Sequence, residues 1–312
     1  MAKYTPLNAN EIEGLAGFFG IGEVGSLNLL EGGSNNTSYL LKTNNDIYVL
    51  SVCDGKSYEE VKSLSKLLGL LEEYGFPTTR VVRAIDGTKV AMHLGKPIFL
   101  KKFIEGKVCH DLTPSMLVKI GESIADLHQI PAPGYLPTSF PYGVDSFSDV
   151  TSSGLDPQFR EWLGRKKSEI TVAFNPGLPK GLVHGDIFYD NVLFSGNGLV
   201  AIIDFEEACN YYLIFDIGMC AVGTCIDERG MSLPKIKALV SGYQNERKLS
   251  DLEKISLQTF IQYGAVATSF WRFRQHHIIN PDREKSDKFR TMFDLANEVI
   301  SIPPAEFMNS VF

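Results

Sequence analysis

Apolar positions recur on two different periods along this chain, and the change comes near residue 104. Before it, short apolar runs at 27–30, 38–41 and 47–50 have the length and composition of strands. Thr43, Asn44, Asn45 and Asp46 separate the last two and supply a turn. Val61, Leu64, Leu67, Leu68 and Leu71 then recur at helical spacing, which predicts an amphipathic helix over 58–73, stopped by Gly75 and Pro77. Further strands are predicted near 80–84 and 89–92, and then over 98–103. Beyond Gly106 the pattern turns mainly helical. Leu117, Ile120, Ile124 and Leu127 line one face of a helix that Thr113 and Pro114 introduce. The proline-rich stretch 131–144 predicts an irregular connection. Phe260, Tyr263, Ala267, Phe270 and Trp271 form a second helical stripe, leading to Arg274 on the same face. The class is α+β: a smaller sheet-plus-helix lobe over 1–104 and a larger, mainly helical one over 105–312. No internal repeat is visible.

Composition narrows the function classes. The 312 residues, 44% hydrophobic and 21% charged, can bury a substantial core and do not have the makeup of a disordered chain. A net charge of −7 with no run of Lys and Arg argues against a nucleic-acid partner, which needs clustered cations. No apolar run approaches the roughly 18 residues that a membrane helix requires. Met1-Ala2-Lys3-Tyr4-Thr5 lacks the apolar core of a signal peptide, so the expected compartment is the cytosol. Cys53, Cys109, Cys209, Cys220 and Cys225 are odd in number and irregular in spacing, which predicts reduced, mostly buried thiols rather than a zinc site.

The stretch 182–217 carries the chemistry. Asp186 closes His184-Gly185-Asp186, Asn191 follows five residues later, and Asp204 opens Asp204-Phe205-Glu206 after two apolar runs. Those runs, 192–194 and 199–203, flank Ser195-Gly196-Asn197-Gly198 and predict a hairpin. The hairpin would bring Asn191 and Asp204 together, as two ligands of one metal must be. A phosphoryl-transfer loop uses one Asp to accept the hydroxyl proton, and an Asn and a second Asp to hold Mg²⁺ against the nucleotide phosphates. Arg274 on an apolar face has two readings: a salt bridge to a structural acid, or a reader of a substrate carboxylate.

H-G-D-x-x-x-x-N followed by an apolar hairpin and I-D-F-E resembles the aminoglycoside phosphotransferase-like kinases, which include homoserine, choline/ethanolamine, methylthioribose and antibiotic kinases. The resemblance runs from near Glu31 to around Trp271. Gly-Gly-x-x-Asn-Thr-x-Tyr, then Tyr48-Val49-Leu50-Ser51, then Asp204-Phe205-x-x-Ala208-Cys209-Asn210 looks most like the homoserine kinases of this fold. It implies a bilobal protein-kinase-like fold and an ATP- and Mg²⁺-dependent transfer to the hydroxyl of a small amino alcohol, homoserine first, with a homodimer open. It implies Asp186 as the catalytic base, and Asn191 and Asp204 as metal ligands. Ser34, Asn35 and Asn36 lie where a nucleotide-covering loop belongs, between two predicted strands. The stretch 99–106, with Lys101 and Phe103, lies where the chain crosses between lobes and offers backbone groups to adenine.

One position departs from the wider kinase pattern: where a strand Lys would pair the phosphates, Ser51 stands. Lys42 or Lys56 would supply the charge, or metal and backbone donors suffice, and Glu59 and Glu60 lose their reason as partners of that Lys. Asp216 resembles the buried brace of a catalytic loop, while His184 and His128 read as structural and Asp190 as exposed. Glu206 would face metal or acceptor. Trp271, with Tyr211 and Tyr212, is an alternative aromatic box for a quaternary ammonium. Asp227 and Glu228 with the acidic balance keep an aminoglycoside-type acceptor open, and the missing strand Lys keeps open a catalytically inactive nucleotide-binding regulator.

Overall fold

A five-stranded antiparallel sheet organises the first of two units in the computed structural model, which describes residues 5–30 and 36–312. That unit comprises Met1–Gly106 and Val200–Ile203. Helix α1 (Ala9–Phe19) starts in a capping box between Asn8 and Glu11 and ends at Gly20 in the left-handed region. Strands β1 (Val24–Leu30), β2 (Asn36–Thr43) and β3 (Ile47–Cys53) follow. Next come helix α2 (Tyr58–Glu73) and strands β4 (Ala91–His93) and β5 (Lys96–Lys102). The strand order is β1-β2-β3-β5-β4. Ile12, Leu15, Ala16 and Phe19 of α1 share one core with Tyr39, Leu41, Tyr48, Leu50, Ile98 and Leu100 of the sheet. Period-two alternation places the strand residues of that core on one face, and the helical period brings the four α1 residues onto it.

The helix over 58–73 forms with the predicted bounds, because Ser57 and Glu60 cap its start reciprocally. Glu60 is committed to that cap, and Glu59 lies 3.5 Å from Lys62. The segment 80–84 is not a strand. It makes an isolated bridge, Val81 to Lys101, and hydrogen bonds such as Val82 N–H to Leu100 carbonyl, without a continuing ladder. Strand β4 begins two residues later than predicted, since its pairing with β5 runs from Ala91 opposite Ile98 to His93 opposite Lys96.

The second unit spans Lys107–Leu199 and Asp204–Phe312. It opens with β6 (Lys107–Val108) and α3 (Pro114–Gln129), followed by the irregular stretch predicted over 131–144, which is irregular up to a 3₁₀ turn that begins at Val144. Short α4 (Ser148–Thr151) and long α5 (Pro157–Val172) lead to β7 (Lys180–Val183). Then come β8 (Val192–Ser195), β9 (Gly198–Ile202, of which Val200 onward counts with the first unit), β10 (Cys209–Tyr212) and α6 (Leu213–Thr224). Helices α7 (Leu233–Glu246), α8 (Asp251–Arg274), α9 (Lys288–Ser301) and α10 (Pro304–Val311) complete it. Helix α8 continues into a π-helical turn, Gln275–Ile279. Helices α3 and α7 meet at backbone distance. A Cβ on Gly121 would stand 2.1 Å from the Leu239 carbonyl oxygen, and one on Gly242 2.1 Å from that of Val118. Only glycine permits this approach.

Candidate active site

Strand β7 pairs antiparallel with β10, Val183 opposite Cys209, and delivers His184, Gly185 and Asp186 at its end. The loop is held from behind by Asp216 in the first turn of α6, which is fully buried. Its carboxylate accepts the His184 N–H at 2.8 Å and the Gly185 N–H at 2.7 Å. It also lies 3.2 Å from His128 Nε2. Burial works against ionisation of Asp216, but the hydrogen bond and charge from His128 and the Gly185 N–H hold it below the usual carboxylate range.

The brace extends further. His128 Nδ1 is 2.8 Å from the Tyr243 hydroxyl, which accepts from Arg247 Nη1 at 3.0 Å, and Arg247 pairs with the buried Glu253 at 2.8 Å. His184 is buried, its Nδ1 accepts the Asp186 N–H at 3.1 Å, and its ring packs on Phe205. Gly185 has φ +85°, and a Cβ there would meet Phe140 at 2.9 Å and the Glu207 carbonyl at 3.1 Å. The sequence His-Gly-Asp is therefore dictated locally: the Gly by conformation, the His by the loop hydrogen bond.

Around Asp186 the structure gathers acids. Asn191 Nδ2 donates to the Asp186 carbonyl at 2.8 Å and to its Oδ2 at 3.2 Å. Burial, then the charges of Asp204, Glu207 and Asp190, push the Asp186 carboxyl up to about 8, while the Asn191 hydrogen bond pulls the other way. Asp204 has φ 69° and ψ 61°, a left-handed conformation uncommon for a residue with a side chain. Such outliers cost roughly 1–3 kcal/mol and cluster at functional sites. No group of three His, Cys, Asp or Glu among the described residues forms a metal cage. Mg²⁺ does not need one, since it typically takes one or two protein oxygens and fills its shell with water and phosphate. Burial first and the neighbouring acids second hold this carboxyl protonated; a cation there would relieve the repulsion among the acids, and the side-chain oxygens of Asn191 and Asp204 are of the kind that Mg²⁺ takes.

Around this loop, two acids and two arginines sort differently from what the sequence suggests. Glu207, which that reading passed over, bears on Asp186 and accepts from the Tyr142 hydroxyl at 3.0 Å. No sequence signal singled it out, because its direction is set by the 3₁₀ turn Phe205–Glu207, which turns successive residues by about 120°. Glu206 is half-buried. Trp271 meets Tyr142 at 6.0 Å, edge to face. Arg274 takes the first of its two readings, an ion pair with Asp149 at 2.8 Å. Arg272 is instead the arginine whose charge reaches Tyr189, Asp186 and Asp190.

Tyr211 and Tyr212 do not join Trp271 in a box. Both are buried, Tyr211 bonded to the Tyr263 hydroxyl at 3.2 Å and Tyr212 stacked on Phe174 at 5.2 Å, because β10 is covered by α8 aromatics.

In the first unit, Ser34 and Asn35 lie outside the described residues. Asn36 opens β2 opposite Cys53. Ser51 is buried on β3, its hydroxyl 3.3 Å from that of Ser38. Lys101 sits on β5 over the Phe99 ring, and Phe103, more exposed, donates its N–H to the Ile47 carbonyl.

An antiparallel-sheet unit followed by a mainly helical unit that presents a braced Asp loop defines a phosphotransferase of the protein-kinase-like fold. The chain belongs to the phosphotransferase enzyme family known as APH, whose model matches residues 26–250. A homoserine kinase of Caulobacter sp. (strain K31) is 28% identical over 275 residues, 85% of this chain and 86% of that one. The structure of a microcompartment-associated aminopropanol kinase superposes with a TM-score of 0.71 at 20% identity, over 91% of this chain and 94% of that one. A spectinomycin phosphotransferase in complex with ADP and spectinomycin superposes with a TM-score of 0.68 at 16% identity, over 99% and 98%. Among the described residues no helix is long and apolar enough to cross a membrane.

Proposed function

We propose that the protein is an ATP- and Mg²⁺-dependent kinase that phosphorylates the hydroxyl of a small amino alcohol, with homoserine as the acceptor. The observation that carries the reading is the Asp186 carboxylate, held by Asn191 at 3.2 Å and under the charge of Asp204. The homoserine kinases among its relatives support the acceptor, and the ADP-bound neighbour supports the nucleotide. Asp186 accepts the acceptor's hydroxyl proton as the oxygen attacks the γ-phosphorus, the bond from γ-phosphorus to the β–γ bridging oxygen breaks, and ADP leaves. Asn191 and Asp204 would hold Mg²⁺, which neutralises charge on the β- and γ-phosphates when bound. Asp216 fixes the loop so that Asp186 faces the acceptor without reorganising.

The test is an ADP-release assay across homoserine, choline, ethanolamine, methylthioribose and kanamycin. Homoserine should give the highest kcat/KM. Preference for choline or kanamycin would replace the acceptor and keep the kinase. Tight MgATP binding with no turnover on any alcohol would overturn the enzyme in favour of a nucleotide-binding regulator.

A further inference from the structure

We propose that Arg272 is the specificity-determining residue that reads the acceptor's carboxylate, opposite the Tyr142–Glu207 pair that meets its ammonium. This rests on the amino-alcohol reading of the site and names the half of the substrate that reading leaves unassigned.

Arg272 and Arg274 stand about 200° apart on a 100°-per-residue helix, so they face opposite ways. Arg274 is spent on Asp149. Arg272 makes no ion pair among the described residues, and its one hydrogen bond there runs from Nη1 to the Lys288 carbonyl at 3.2 Å. A guanidinium has five N–H donors in a planar fork, so most of this one is uncommitted. Burial pushes its proton affinity down, while Tyr189, Asp186 and Asp190 of the catalytic loop hold it up. A partly desolvated cation whose charge reaches the catalytic loop, next along α8 from the Trp271–Tyr142 contact and with most of its donors uncommitted among the described residues, is arranged for an anion that arrives with the substrate.

The neighbouring residue on α8 supplies the complement. Trp271 packs edge to face on Tyr142, and Tyr142 donates to Glu207, whose charge also bears on Asp186. Glu207 and Arg272 thus each bear on Asp186, an anion and a cation beside one base. An acceptor with an ammonium and a carboxylate on one carbon and a hydroxyl two carbons away matches all three.

The experiment compares homoserine with 3-aminopropan-1-ol, the same amino alcohol without its carboxylate. The wild-type protein should favour homoserine in kcat/KM by at least about 10²-fold, as expected of a charge-assisted bidentate contact. Arg272→Met should raise the KM for homoserine by about 10²-fold, and Arg272→Lys by about tenfold, because an ammonium keeps the charge but not the fork. KM for ATP and the urea midpoint should stay near wild type, which certifies that the variants fold, and the loss on homoserine should exceed any loss on 3-aminopropan-1-ol by at least about tenfold. Equal loss on both acceptors would overturn the assignment and place Arg272 on the transferring phosphoryl group or in the scaffold. Unchanged homoserine kinetics would overturn it as well. A wild-type preference for 3-aminopropan-1-ol would sink the carboxylate reader and leave the amino-alcohol kinase standing. A wild-type protein that phosphorylates neither compound would sink the kinase reading itself, and this assignment with it.

Discussion

Asp186 can act as a base only after losing its proton, and the residues around it oppose that loss. Burial, Asp204, Glu207 and Asp190 push its carboxyl from 3.8 up to about 8 in the metal-free protein. Between those values the folded chain binds a proton that the unfolded chain has released. Stability from this group is thus fully present below pH 3.8 and is lost as pH rises through about 8. Asp186→Asn, which cannot ionise, should remove that component. Calorimetric scans in EDTA should show the metal-free wild type losing melting temperature between pH 6 and 8.5 more steeply than the variant; parallel profiles would contradict it. The same variant should lose at least about 10²-fold in kcat, with nucleotide affinity nearly unchanged. Asp204→Ala should instead abolish Mg²⁺-dependent ATP binding, and an unaltered titration heat for MgATP would contradict its role. Asp186, Asn191 and Asp204 were legible in the sequence because the chemistry specifies both residue type and spacing. Glu207 and Arg272 were not, because their direction depends on a 3₁₀ turn and on helix phase.

At the scale of elements, what the sequence conveyed depended on whether a local device set the boundary. Helix α2 was read to the residue from its apolar stripe and the glycine and proline that end it. Helix α1 escaped notice although it carries the same kind of Asn8–Glu11 box, since its apolar residues are interrupted by glycines. The segment 80–84 has strand composition, but its pairing with β5 fails beyond one bridge, and no local pattern encodes that failure. Backbone contact between α3 and α7 was equally hidden, for Gly121 and Gly242 are far apart in sequence and look dispensable singly. Gly242→Ala should destabilise the protein by about 1–3 kcal/mol or more, because its Cβ has only backbone to displace. Gly14→Ala, in α1 with nothing within 4 Å of the added carbon, should stabilise by about 0.5–1 kcal/mol. Urea midpoints moving the same way in both would refute the packing argument.

At the scale of the whole molecule, a fold shared with aminopropanol and spectinomycin kinases at 20% and 16% identity cannot by itself choose an acceptor. The division of labour within the second unit explains how one framework can carry several acceptors. Behind the catalytic loop, α6, α3, α7 and α8 are joined by one chain of polar contacts: Asp216, His128, Tyr243, Arg247 and Glu253. In front of it lie Tyr142, Glu207, Trp271 and Arg272, none of which takes part in that chain. The two sets should therefore fail differently when cut. Arg247→Met leaves the Glu253 carboxylate buried with its Ser250 contacts alone among the described residues, and removing one member of a buried pair costs on the order of 3 kcal/mol. Its urea midpoint should fall accordingly, while the ratio of kcat/KM for homoserine over 3-aminopropan-1-ol keeps its wild-type value. The Arg272 variants should do the reverse, altering that ratio at an almost unchanged midpoint. If Arg247→Met altered acceptor preference as strongly as Arg272→Met, the framework and the acceptor site would be one mechanical unit, and the separation drawn from their contacts would be wrong.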